Sequence, residues 1–161
     1  MRWEDIDMAS GWWTIPPEFS KNDLSHRVPL SPPVMDILRQ IEGYGDEKGW
    51  VFPSPTGKGP LRAVWRAMGN IRKKTGAEFV PHDLRRTAAT RMTGDLGIAR
   101  LTVSKVLGHV ETGVIGVYDR ATYDREKRQA LDAWGARLAD ILSGELAAEN
   151  VVPLAATREP A

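Results

Sequence analysis

The sequence contains no cysteine, which excludes a disulfide framework, a thiolate zinc site and a cysteine nucleophile. It also lacks any apolar run near the roughly 20 residues that a membrane helix needs. The first residues, Met1-Arg2-Trp3-Glu4-Asp5, carry two acids and no apolar stretch, so they do not read as a signal peptide. A cytoplasmic protein with no membrane partner is the default expectation. Net charge is almost absent too: 22 Lys and Arg against 21 Asp and Glu leave +1. That total says nothing for or against nucleic acid. Internal repeats are lacking as well. What remains is 161 residues, 42% hydrophobic and 27% charged. This is an ordinary globular mix, long enough to bury the core of one domain without staples.

The charge is unevenly placed. Between Thr56 and Arg91 stand nine basic residues: Lys58, Arg62, Arg66, Arg72, Lys73, Lys74, Arg85, Arg86 and Arg91. Only Glu78 and Asp83 oppose them, a local balance of +7. From Asp132 to Ala161 the balance is −3. A basic block inside a near-neutral protein is the electrostatic footprint of a polyanion surface. On charge alone, the commoner meaning of such a run is a solvated helical face.

The pattern predicts a mainly α-helical α+β fold with a small antiparallel sheet at the N-terminal end. Trp3–Asp7 alternates apolar and acidic residues, Gly11–Ile15 is aromatic and β-branched, and His26–Leu30 is a third short run. Glu18–Ser25 reads as a polar loop, and Pro29 favours an edge strand. Ser31-Pro32-Pro33 is a helix start, with Val34, Ile37, Leu38 and Ile41 expected inward. A second helix carries Leu61, Val64, Trp65, Met68 and Ile71 and ends at Gly76. A third runs from Asp83 to Gly94 with Leu84, Ala88 and Met92 inward. A fourth runs from Ala99 to Leu107. The last runs from Thr122 to Leu142, with Leu131, Trp134, Leu138 and Ile141 on one face. Residues 1–142 form the expected domain, and 143–161, rich in Ala, Glu and Pro, a flexible tail.

A few polar residues could carry chemistry. His82 and Arg85 stand three apart on one face at the start of a helix, where an anion is favoured. Leu107-Gly108-His109 places a histidine at a helix-ending turn. Tyr118 follows in Val117-Tyr118-Asp119-Arg120, and Lys21 lies in the first hairpin loop. Each alone has a structural explanation: a cap, a half-buried ring, a solvated ammonium, or a surface pair of Arg85 with Asp83 or Glu78. Together they suit phosphoryl transfer with tyrosine as nucleophile. A guanidinium grips two phosphate oxygens, imidazoles move protons near neutral pH, a lysine can protonate a leaving alkoxide, and the phenol is activated by its neighbours.

On these residues the chain resembles the catalytic domain of the tyrosine recombinase, or phage integrase, family. His82-Asp83-Leu84-Arg85 resembles the family's His-x-x-Arg box, and Leu107-Gly108-His109 its Leu-Gly-His box. Tyr118 falls at the nucleophile's place, with Glu126-Lys127-Arg128 following as in prophage integrases. Ser20-Lys21-Asn22 and His26–Ser31 resemble the β-hairpin that carries the family's lysine. The likeness covers residues 3 to 142. It implies site-specific recombination of double-stranded DNA through a 3′-phosphotyrosyl link, without metal or other cofactor, among protomers in a synaptic complex. A bacterial or phage origin goes with it. Tyr118 would be the nucleophile, with Tyr123 as the alternative. Arg85 and His109 would hold the phosphate, Lys21 would be the general acid, and His82 would assist proton transfer at Tyr118. Arg62, Arg66, Arg72, Lys73, Lys74 and Arg86 would grip DNA.

One departure stands out. The family's first catalytic arginine belongs just upstream of Trp3, and Arg2 stands too late to fill that place. A decayed, mis-started or cut integrase is therefore expected, with cleavage by this polypeptide absent or very slow. A remnant that only binds DNA or a partner protomer, and a type IB topoisomerase, are the alternative readings.

Overall fold

The computed structural model describes residues 1–43, 49–56, 59–62, 64–109 and 122–144. The chain starts against a neighbouring segment. The Trp3 amide donates to the Gly49 carbonyl (2.9 Å) and the Val51 amide to the Met1 carbonyl (3.2 Å). Because those bonds are made at the chain start, Trp3–Asp5 closes into a 3-10 turn rather than the expected strand. Only Ile6–Asp7 is extended, as β1. The Asp7 carboxylate then accepts bonds from the Ser10 hydroxyl and from the Ser10 and Ala9 amides. These donors, the Ser10 hydroxyl foremost, hold its pKa below the usual carboxylate value. The turn ends at Gly11, whose φ of +66° suits glycine.

Strand β2 (Trp12–Ile15) pairs antiparallel with β1 on one side and with β3 (His26–Pro29) on the other. The order β1-β2-β3 leaves Pro29 on an edge strand, where its missing amide donor does no harm. The loop expected between β2 and β3 opens with a second 3-10 turn at Pro17–Phe19.

Helix α1 (Pro32–Gln40) begins after Ser31 with prolines at its first positions. It buries Met35 and Leu38, which join Leu30 and Val51 in a core flanked by Trp3, Ile6, Trp13 and Ile41. Val34 and Ile37, expected inward, are exposed. The buried stripe runs Met35–Leu38–Ile41, at steps of three, and leaves those two beside it.

Helix α2 (Val64–Thr75) departs further from expectation. Met68 is its only fully buried residue, while Leu61, Val64, Trp65 and Ile71 are 40%, 48%, 65% and 48% exposed. The amphipathic spacing forms the helix, but among the described residues only Met68 finds enclosure.

Helix α3 (Pro81–Gly94) starts two residues before the expected Asp83, because Pro81 takes the first position and Asp83 acts as its cap. The Asp83 carboxylate accepts the Val80 amide at 2.9 Å. Met92 is buried and Ala88 half-buried, but Leu84 is exposed. Helix α4 (Arg100–Val106) buries Thr102 and Val103. Helix α5 (Asp124–Ser143) ends at Gly144, φ +78°. The tail expected over 143–161 starts inside this helix, since Ser143 is helical and Gly144 is its cap, and residues 145–161 lie outside the described residues. The expected apolar face of α5 is partly corrected: Leu131 and Trp134 are half-buried, Leu138 and Ile141 are exposed, and Lys127, Ala130 and Gly135 are buried. Gly135 lets α5 cross the start of α1, since a Cβ there would lie 3.0 Å from Ser31 Cβ. No described helix is long and apolar enough to cross a membrane.

The burial of Lys127 is explained by its partners. Its ammonium donates to the Arg27 carbonyl at 2.8 Å and pairs with Asp124 at 2.9 Å, while Asp124 also pairs with Arg27 at 2.5 Å. The Arg128 guanidinium donates to the carbonyls of Ser10, Gly11 and Leu30. The Trp12 ring has the guanidinium carbons of Arg27 and Arg128 at 4.4 and 4.6 Å. Charge-assisted bonds and cation–π contact thus fasten α5 to β2 and β3.

Candidate active site

Arg85 lies on α3, one turn beyond the helix start and three residues after His82, so both project from the same face. The Asp83 carboxylate is engaged in the cap and makes no pair with Arg85. Instead the Arg85 guanidinium reaches α4: Nη2 donates to the Leu107 carbonyl at 2.6 Å and lies 3.5 Å from His109 Nε2. His109 arrives there through the turn that ends α4. The Gly108 amide donates to the Lys105 carbonyl (3.2 Å) and the His109 amide to the Ser104 carbonyl (3.0 Å). With Gly108 at φ +68°, this is a Schellman cap. The glycine is needed for the left-handed backbone, and the residue after it is aimed back at α3.

The β2–β3 hairpin closes the third side. Asn22 Nδ2 donates to the Gly108 carbonyl at 3.4 Å, and His26 Nε2 donates to the Val106 carbonyl at 3.2 Å. Lys21, one residue before Asn22, is exposed, as are His82, Arg85 and His109. Among the described residues the side chains of Lys21 and His82 make no hydrogen bond or ion pair. The structure therefore joins Arg85 to His109 directly and brings the Lys21 hairpin against the same turn. Tyr118 lies outside the described residues. Tyr123, just before α5, is half-buried, with the Lys105 ammonium 5.2 Å from its ring centre.

The expected DNA-gripping residues divide. Arg62, Arg66, Lys73, Lys74 and Arg86 are exposed. Arg72 is half-buried, and its Nε donates to the Phe79 carbonyl at 2.7 Å, bracing the link from α2 to α3. Arg86 shares a shallow cleft with Asp83, Thr87, Thr90 and Arg91. Among the described residues no cluster of His, Asp and Glu could hold a metal ion.

The profile of the phage integrase family matches residues 1–125. The chain belongs to this family. It is 28% identical over 145 residues to a prophage integrase, IntZ, of Escherichia coli K12, covering 89% of this chain and 36% of that protein. It is 26% identical over 124 residues to tyrosine recombinase XerA of Pyrococcus furiosus, covering 74% and 42%. It is 26% identical over 159 residues to the putative protein IntB of Escherichia coli K12, covering 87% and 39%. The chain thus spans about two-fifths of the length of these relatives. No solved structure gives a significant match. The mainly helical fold with its three-stranded sheet is that of an integrase catalytic domain.

Two residues that pack against the Gly108–His109 turn escaped sequence reasoning. Asn22 looked like an ordinary loop residue and His26 like part of a strand. The one signal for His26 was its place beside the lysine-bearing hairpin loop. Its contact with the α4 turn joins positions 80 residues apart.

Proposed function

We propose that this chain is the catalytic part of a tyrosine recombinase that breaks and rejoins double-stranded DNA. The Tyr118 oxygen attacks the scissile phosphorus, a P–O bond to tyrosine forms and the P–O5′ bond breaks. The phenolic proton leaves with help from His82, and the 5′-oxygen takes a proton from Lys21. A 5′-hydroxyl of a second strand reverses these steps. One phosphodiester is exchanged for another through the phosphotyrosyl link, so no nucleotide is consumed. Arg85 and His109 hold the nonbridging oxygens, stabilising the charge that develops there. The observation that carries the reading is the Arg85–His109 pair, 3.5 Å apart and exposed. A guanidinium and an imidazole converge where α3 and α4 meet, beside a helix start that favours anions.

Arg62, Arg66, Arg72, Lys73, Lys74 and Arg86 steer and hold the duplex through its phosphates, with Arg72 placed by its bond to Phe79. Partners are double-stranded DNA and further protomers of the recombinase. The chain spans about two-fifths of the length of its relatives, so the activity is tested both on this chain and on a protein extended to that length. The test uses a pool of nicked duplexes of random sequence, offered to this chain and to the extended protein. An SDS-resistant adduct on Tyr118 of the extended protein is expected. It should vanish in Tyr118→Phe and survive in Tyr123→Phe. Adduct that persists in Tyr118→Phe refutes the assignment.

A further inference from the structure

The turn that presents His109 is gripped from two sides. Arg85 holds the Leu107 carbonyl, and His26, from strand β3, holds the carbonyl one residue earlier. We propose that His26 is a positioning residue of the phosphate site: its imidazole, donating from Nε2 to the Val106 carbonyl, props the Gly108–His109 turn so that His109 stays beside Arg85.

Three observations support the prop. A carbonyl only accepts, so the bond fixes a proton on Nε2, and in the neutral ring Nδ1 is the unprotonated nitrogen. The ring also lies flush on the turn: a Cβ at Gly108 would sit 3.3 Å from His26 Cδ2 and 3.4 Å from Nε2. The glycine therefore answers both to its backbone angle and to the imidazole packed on it. Finally, the half-buried setting disfavours a charged ring, as do the cations facing it, Lys127 from α5 and Arg85 from α3; together they outweigh the bond to the Val106 carbonyl, which favours charge, and the pKa of His26 is lowered. A neutral imidazole is the form that this place accepts. His26 touches no reacting atom. It acts through the backbone of α4, and it couples the hairpin carrying Lys21 to the turn carrying His109.

The role given to His109 rests on the proposed function, but the prop itself is measurable without DNA. The chain has 3 histidines, so ring signals in a nitrogen-15 NMR spectrum of the full chain are separable. Wild type should show His26 as the Nε2–H tautomer. In His26→Ala the His109 ring signals should shift while those of His82 hold. Affinity for orthovanadate, a phosphate mimic, should fall about tenfold, as expected for a misplaced contact. His26→Gln, whose amide can donate to the same carbonyl, should restore both readouts; a residue that only fills space would not be rescued in this way. If His26→Ala unfolds, His26→Leu, which fills the space without a donor, takes its place, and the same shift of His109 is expected. Unchanged His109 signals in the folded variants, or a His26 ring protonated on Nδ1 alone, overturn the proposal. A wild type that binds no orthovanadate refutes the phosphate reading instead, and the tautomer and the His109 signals still judge the prop.

Discussion

Helices α1 and α2 carry similar apolar spacing and meet different fates. In α1 the stripe closes on Leu30 and Val51, and Leu38 is 2% exposed. In α2 the stripe leaves Trp65 at 65% exposed, on a helix that also carries Arg66, Lys73 and Lys74 outward. Periodicity tells that a helix forms and that it has an apolar side. It does not tell whether anything in the same chain covers that side. Around α1 the sheet and α5 supply the cover, reinforced by the bonds from Lys127 and Arg128. Around α2 the described residues supply little beyond the enclosure of Met68. One part of the domain is therefore scaffold, and the other is surface, dense in positive charge.

The sharpest way to break this comparison is at its two extremes. Leu38→Ala should destabilise the fold by about 2–5 kcal/mol, the range for a truncated buried leucine, read as a lower urea midpoint. Arg85→Ala should leave that midpoint almost unmoved. It should instead slow adduct formation by the extended protein roughly 10²–10³-fold, as loss of a single charge-stabilising donor does. An Arg85 variant that unfolds would make Arg85 part of the scaffold.

Gly135→Ala comes next. The added methyl meets Ser31 Cβ at 3.0 Å and Pro33 Cδ at 3.2 Å, so α5 must move off α1. A loss of about 1–3 kcal/mol is expected from overpacking. Gly69→Ala on α2, where a Cβ meets nothing within 4 Å, should instead stabilise slightly, by up to about 1 kcal/mol, through helix propensity. Equal effects at the two glycines would erase the difference between the helices.

Much of the site was legible in local sequence. The three-residue step from His82 to Arg85 and the glycine before His109 each announce a helix start or a helix end, and such signals act within one turn of the chain. What local sequence could not show was which turn faces which. The Arg85 bond to Leu107 spans 22 residues and the His26 bond to Val106 spans 80, and neither spacing follows a helical or strand period. Lys127 was hidden for a related reason. A lysine reads as surface until its partners, Asp124, the Arg27 carbonyl and the Trp12 face, are assembled around it. The exposed apolar residues of α2 fooled the same reasoning in reverse. Tyr118 rests on sequence alone, since it lies outside the described residues.

Acid sharpens the contrast from another side. Burial lowers the pKa of His26 in the folded state, so the unfolded chain binds its proton more readily. Its contribution to stability is fully present above the unfolded value of about 6.5 and declines as pH falls from there towards the lowered folded value. Urea midpoints measured from pH 7.5 to 5.5 should therefore fall in wild type. The fall should be smaller in His26→Gln, which has no proton to take up. An identical decline in both proteins would place the acid sensitivity elsewhere.

The smallest expected stability change belongs to the outer face of α2. Lys73 and Lys74 are exposed in its last turn, where positive charge meets the helix dipole favourably. Replacing both with glutamine should change the stability by no more than about 0.5 kcal/mol, as for most surface changes. Their effect should show in DNA binding instead. Each lysine that neutralises a phosphate releases a counterion, so the slope of log affinity against log salt should lessen by about 0.9 per residue. Base preference should stay the same, because contacts to phosphate carry no sequence information. A slope unchanged in the double variant would mean that this face of α2 points away from the duplex and that its charge is only solvated. A slope that falls with no change in stability would show the two parts of the domain separated by function as they are by packing.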